Sequence, residues 1–324
     1  MPLFRTSVFN PEYLEDFWQY LPFDFKLLVV NELDHRTRCW LAKCSREDHE
    51  LVSKVPLKLE YYEIHIFIDL RIIYDGHQEN YEKTLRYTEA GAPETVKNFK
   101  HPKSFVRYFD INAFGYSNEK VTEEIVQDLV DQLQAAKVTI RTFRLRFHMS
   151  WFKNDDLLVK LIECLEPVTL KRLCLTHKIT GQTIAKLAKT EQWKHLEKIG
   201  FGEIGQPDFD SFLHLERMRF EATTMSSREV WKMVQSYTNR DLPIGSYFDI
   251  SIYEGINVDE VLDVLEFEGI TLENRPVRLG DEDRFHHTQR ILCRRAPNVE
   301  LKRFNKMLVL KMATYKVYGF IAIA

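Results

Sequence analysis

The chain has 324 residues, 44% of them apolar and 29% charged, with a formal net charge of −3. That composition excludes a disordered chain, and the near-neutral charge supplies no global field for nucleic acid or a membrane surface. No apolar run reaches bilayer length, and Cys39, Cys44, Cys164, Cys174 and Cys293 lack framework spacing, so free thiols in a cytoplasmic or nuclear setting are expected.

Residues 1–10 read as irregular, and Arg5 with Asn10-Pro11 breaks up any secretory-type apolar segment. Residues 11–20 read as a short helix leading into the next stretch. Leu21 to Val52 divides into three helical pieces. Pro22 suits a first helical turn, because its φ is fixed and it has no amide hydrogen to lose there. Phe23, Phe25, Leu27, Leu28, Val29, Val30 and Leu33 then cover more than one face of the first helix. Asp34 can cap a second piece through Leu41 and Cys44. Ser45 with Asp48 opens a third, stopped before Pro56. So small a unit cannot bury all that apolar surface alone; the rest should meet the chain behind it or another protein.

Leu21-Pro22, the acid Asp24, apolar Leu28, Val29 and Val30, Leu33-Asp34, then Leu41 and Cys44-Ser45-Arg46 resemble an F-box. Lys26 stands where that family usually has leucine, and no aromatic follows Ser45-Arg46. The resemblance covers about a tenth of the chain. It implies a module over 21–56 that binds a Skp-type adaptor through Leu21, Pro22, Phe25, Leu28, Val29, Leu33 and Leu41. Through the adaptor it implies a cullin-RING ubiquitin ligase. An ordinary helical cap on a solenoid is the alternative.

Residues 57–75 are rich in Ile, Tyr and Phe with partial alternation and read as two strands or one bent strand, within a β-rich connecting segment over 57–103. From 104 to the C-terminus a body is expected in which L-x-x-L-x-L triplets recur. They are Val106/Phe109/Ile111, Ile140/Phe143/Leu145, Leu170/Leu173/Leu175, Leu196/Ile199/Phe201, Leu215/Met218/Phe220 and Tyr247/Ile250/Ile252, with Met307/Leu310/Met312 as a seventh. Such triplets arise by chance in an apolar chain; the helices between them carry the argument. Asn118 to Ala136 has Val121, Ile125, Leu129 and Leu133 on one face, and Asn154 opens a helix through Leu165. Ser226 with Glu229 and Asn257 with Glu260 are capping-box signatures. Strand–helix alternation every ~20–35 residues indicates a leucine-rich-repeat-like solenoid. The expected fold class is therefore α/β: an N-terminal all-α module of about three short helices, then an irregular solenoid. A conventional α/β domain with a parallel sheet is the structural alternative.

LVKLIECLEPVTLKRLCL from Leu158, EQWKHLEKIGF from Glu191 and FLHLERMRF from Phe212, followed by the helix capped at Ser226, resemble the FTH domain over roughly residues 100–270. The Glu-Gln-Trp-Lys step at Trp193 is the most distinctive piece. The resemblance implies an interaction domain with no catalytic constellation.

Gly200-Phe201-Gly202-Glu203-Ile204-Gly205 matches G-x-G-x-x-G, which binds a dinucleotide only between a strand and a helix N-terminus; Gln206-Pro207-Asp208 follows instead. His286-His287 with Cys293 lacks metal-ligand spacing. Asp155-Asp156 suits a first helical turn and Asp281-Glu282-Asp283 a turn. No catalytic residue, cofactor or metal is expected.

If the triplets point inward, their third positions point outward as Tyr108, Thr142, Arg172, Lys198, Arg217 and Asp249. Arg172, Lys198 and Arg217 should then stand in a row, thickened by Arg144, Arg146 and Arg219. The row either is a solvated face paired with acids such as Asp110 or Glu221, or binds an acidic or phosphorylated segment of a target protein. The function expected is the substrate-recognition subunit of an SCF-type ligase. The alternative is a repeat-type interaction scaffold without ligase function, with a nucleotide-dependent enzyme resting on the Gly200 run as a remote third.

Overall fold

The computed structural model describes residues 17–66, 70–76, 79–85, 91–113, 119–149, 152–272, 287–293 and 305–324. The N-terminal helices are α1 (Phe23–Glu32), α2 (His35–Cys44) and α3 (Arg46–Ser53). Asp34 and Ser45 cap the second and third as their side chains predict, accepting from the Thr37 and Asp48 amides at 2.7 and 3.0 Å. Pro22 sits one residue earlier than expected, preceding α1 with an extended ψ of 144°.

Behind them the described strands are β1 (Lys58–Ile66), β2 (Leu70–Gly76), β3 (Glu79–Leu85), β4 (Phe105–Ala113), β5 (Thr142–Met149) and β6 (Arg172–Leu175). They continue with β7 (Lys198–Ile204), β8 (Arg217–Ala222), β9 (Tyr247–Ile252), β10 (His287–Leu292), β11 (Lys306–Ala313) and β12 (Lys316–Ile323). The helices are α4 (Gly91–Phe99), α5 (Glu119–Ala135), α6 (Asp155–Glu163), α7 (Gly181–Leu187), α8 (Glu191–Lys194), α9 (Ser227–Asn239) and α10 (Val258–Phe267).

All twelve strands join one sheet in the order β10-β11-β12-β9-β8-β7-β6-β5-β4-β1-β2-β3. From β4 to β9 each strand lies beside its predecessor in sequence and parallel to it. The order never doubles back there, as a doubly wound sheet would require. It is the solenoid arrangement within an α/β fold, and antiparallel hairpins close both edges.

Inward positions run across the sheet as Phe109, Leu145, Leu173, Ile199, Met218 and Phe248. Two predicted triplets are therefore out of frame by two residues. On β5 the inward set is Thr142, Leu145 and Phe147, all buried, and Ile140 lies before the strand in an isolated bridge to Leu165. On β9 it is Phe248 and Ile250 that align with Met218 and Phe220. The Met307/Leu310/Met312 triplet is not a further repeat, because β11 runs antiparallel to both neighbours.

The Glu-Gln-Trp-Lys step clips three repeats together. Gln192 donates back to the Leu165 carbonyl at 2.7 Å, and the Trp193 indole donates forward to the Ser211 carbonyl at 3.0 Å. Trp193 is buried beside Phe212, with ring centroids 5.7 Å apart. Further on, the Tyr237 hydroxyl donates to the carbonyls of Glu216 and Tyr247 at 3.0 and 2.9 Å, joining β8 to β9.

Gly200 and Gly202 lie within β7, and the chain continues into a short 3-10 turn at Phe209–Phe212 rather than a helix over phosphate. A Cβ at Gly202 would meet the Thr176 carbonyl oxygen at 3.0 Å, so this glycine serves close strand packing. The nucleotide reading of the run has no structural basis.

Candidate interaction surfaces

The N-terminal helices have their own small core, separate from that of the sheet body. Val30, Leu51 and Val55 form its buried centre, with Trp18, Leu27, Leu33, Leu41 and Val52 packed around it. The Trp18 indole donates to Asp48 at 2.7 Å, tying the residues before α1 to α3. Arg38 is the hub. Its buried guanidinium donates to the carbonyls of Leu33, Asn31 and Pro56 at 2.9, 2.8 and 3.0 Å. Burial lowers its pKa, which Asp34 and Glu32 partly oppose.

What this core leaves outside is apolar. Phe25 is 51% and Leu28 66% exposed, one turn apart on α1. Pro22 is also exposed, and Leu21 and Val29 are half-buried. Leu33 and Leu41 differ from the other expected adaptor anchors, because both pack on the module's own core. Phe17, Tyr20 and Trp40 are exposed aromatics that the spacing argument did not single out, although aromatics at otherwise polar positions were a usable signal. Lys26 has a local role: its ammonium lies 5.5 Å from the Trp18 ring centroid and donates to the Gln19 carbonyl at 3.4 Å.

The open face of the sheet carries the second surface. Cross-strand pairing sets Tyr108, Arg144, Arg172, Lys198, Arg217 and Tyr247 side by side. The row is longer than the sequence indicated. The frame shift on β5 brings in Arg144, and the one on β9 replaces Asp249 with Tyr247. Asp110, Arg146, Cys174, Gly200, Arg219 and Asp249 form the adjacent row.

Charges at the two ends of these rows are matched. Buried Asp110 meets Arg144 at 3.2 Å and Arg146 at 3.5 Å. Burial raises the Asp110 pKa, and the two guanidinium groups pull it back down. Asp249 meets Arg219 at 3.5 Å and Lys316 at 2.7 Å. Glu221, expected to neutralise an arginine, instead accepts from the Tyr253 hydroxyl at 2.6 Å.

The centre is unmatched: among the described residues Arg172, Lys198 and Arg217 form no ion pair. They rest on aromatic rings or on their stems. Arg172 lies 4.8 Å from the Phe143 centroid and Lys198 5.7 Å from that of Tyr247. The Nε of Arg217 is buried without a hydrogen-bond partner.

The remaining polar motifs are structural or lie elsewhere. Asp155 accepts from Thr180 at 3.0 Å, and Asp156 pairs with Lys186. His286 and Asp281-Glu282-Asp283 lie outside the described residues. Among the described residues no group of three or more His, Cys, Asp or Glu could hold a metal ion, and no helix is long and apolar enough to cross a membrane.

Two domain families match this architecture. The F-box domain model matches residues 18–60, covering the helices built on Arg38, and the FTH domain model matches residues 123–266, covering the clipped repeats. The chain carries an F-box and an FTH domain. An uncharacterized F-box protein of Caenorhabditis elegans is 38% identical over 69 residues, 21% of this chain and 17% of that protein. The chain thus matches less than a fifth of that relative's length. No solved structure matches it. F-box and FTH domains are typical of non-catalytic adaptor proteins.

Proposed function

We propose that this F-box/FTH protein is a non-catalytic substrate receptor of an SCF-type cullin-RING ubiquitin ligase, working in the cytoplasm or nucleus. The F-box match carries the reading, together with the exposed Phe25 and Leu28 that its small core leaves uncovered. F-box domains in general bind Skp-type adaptors. Here Leu21, Pro22, Phe25, Leu28 and Val29 form the docking face. Leu33 and Leu41 support it from below. The open face of the FTH sheet takes the target, through an acidic or phosphorylated segment laid along Arg172, Lys198 and Arg217. Arginine suits this because its fork accommodates two oxygens of a carboxylate or phosphate.

Co-purification of the full chain with a Skp-type adaptor tests the reading. Leu21→Ala with Pro22→Ala, and separately Phe25→Ala with Leu28→Ala, should each weaken capture by at least about tenfold, since a few apolar anchors dominate such interfaces. Both variants should keep the circular dichroism of the parent. Undiminished capture by both would overturn the assignment. Failure of the parent chain to bind any Skp-type adaptor would leave a scaffold without ligase function as the better description.

A further inference from the structure

Between the F-box and the sheet body lies a cleft of about 670 Å³. One wall is α2 and α3, which present His35, Lys43 and His49. The facing wall, from α4 and the turn after it, presents Lys97, Lys100 and His101. The floor is apolar, with Val52, Val55 and Leu57. No residue lining the cleft is acidic.

Arg38 also borders the cleft, but three backbone carbonyls already occupy its guanidinium. The lysines are different. Among the described residues, Lys43, Lys97 and Lys100 are exposed and form no ion pair. Two units with separate cores thus face each other across a gap with like charges on both sides. Like charges so placed repel, and screening by salt only partly relieves them. A bound anion would turn the repulsion into a bridge.

We propose that this cleft binds a small molecule carrying several phosphate groups, which ties the F-box to the sheet body. The size is that of a typical small-molecule site. Ammonium groups on opposite walls suit phosphates spread around a ring, and the apolar floor suits the ring itself. A nucleoside triphosphate and an inositol polyphosphate share that chemistry. The inference is independent of adaptor and target, because it uses neither Phe25 and Leu28 nor the Arg172 row.

Titration calorimetry of the full chain with ATP, with inositol hexakisphosphate and with inorganic phosphate tests it. One saturable site is expected for at least one of the first two, and the tighter of them identifies the class. Lys43→Glu with Lys100→Glu should weaken that binding by about tenfold or more, as lost charge-assisted contacts would. Arg172→Ala with Arg217→Ala should bind as the parent does. If the charge-reversed variant loses its circular dichroism, Lys43→Gln with Lys97→Gln and Lys100→Gln serves in its place with the same expectation. The proposal is overturned if neither polyphosphate saturates, if inorganic phosphate binds as tightly, or if binding survives the cleft variants. Loss of binding in the Arg172 and Arg217 variant instead would move the site to the sheet and overturn it too.

Discussion

Arg172 stands directly across the β6–β7 pair from Lys198, and neither cation has an ionic partner among the described residues. Adjacent strands lie about 4.8 Å apart, so directly opposed like charges are destabilising. Arg217 adds a third cation on the far side of Lys198, with a buried Nε that no acceptor satisfies. The fold does not need these charges. Arg172→Ala with Arg217→Ala should therefore change unfolding free energy by no more than about 1 kcal/mol, relief of repulsion offsetting the packing lost with the two stems. Urea denaturation reads that outcome. The same variant should retain the Skp-type adaptor but lose its targets, and phosphatase treatment of the lysate should mimic the loss if the anion is phosphate. Targets captured equally by variant and parent would remove the row from recognition.

Much of the solenoid was legible because inward side chains are bulky and regularly spaced. Leu173, Ile199 and Met218 announce their strands, and the structure aligns all three. The frame failed on β5 because Thr142, a buried hydroxyl residue, takes the position an aliphatic side chain would mark, while aliphatic Ile140 lies just outside the strand. The slip left Leu145 inward and Arg144 outward, so most of the strand still read correctly, but it turned Thr142 inward and Tyr247 outward against expectation. The slip had a cost at the candidate site: it assigned Arg144 to the wrong row and hid the flanking Tyr247. Direction of pairing was likewise invisible, so β11 passed for another repeat. Arg38 was illegible for a different reason. In the segment His35-Arg36-Thr37-Arg38 it looks like any surface cation, and only the converging carbonyls of Asn31, Leu33 and Pro56 make it a hub.

Trp193 tests whether the clip between repeats is structural. Its ring fills a site among Phe201, Phe212 and His214, and its N–H satisfies the Ser211 carbonyl. Trp193→Ala should cost about 3–5 kcal/mol in urea unfolding, the range for deleting a large buried aromatic. Trp193→Phe keeps most of the apolar contact but gives up the indole hydrogen bond to the Ser211 carbonyl, which His214 also approaches, and should cost about 0.5–1.5 kcal/mol for that bond. The difference between the two variants separates packing from the hydrogen bond. A loss below about 1 kcal/mol in the alanine variant would show that the repeats are joined by other means.

His177 makes the stability of the body depend on pH. Its ring lies between Phe147 and Phe152, with centroids 5.6 and 5.9 Å away, and neither ring nitrogen has a hydrogen-bond partner. Burial pushes its pKa down from 6.5 to about 4, against the opposing pull of Asp155. The unfolded chain therefore takes up this proton at a higher pH than the folded chain does. Above pH 6.5 the histidine is neutral in both states and imposes no penalty. As pH falls from 6.5 towards 4 only the unfolded state gains the proton, so stability drops through that window and levels off below it. The full loss is about 3 kcal/mol, since a proton bound by the unfolded chain alone costs about 1.4 kcal/mol for every pH step of one across that window. His214 is shifted in the same direction, chiefly by burial, and adds to the slope. His177→Phe places a third apolar ring between the other two and has nothing to titrate. Its unfolding free energy, measured from pH 7 down to pH 4, should fall less steeply than the parent's, with the advantage growing as the pH drops. Parallel curves for variant and parent would mean that His177 is protonated in the folded chain as readily as in the unfolded one.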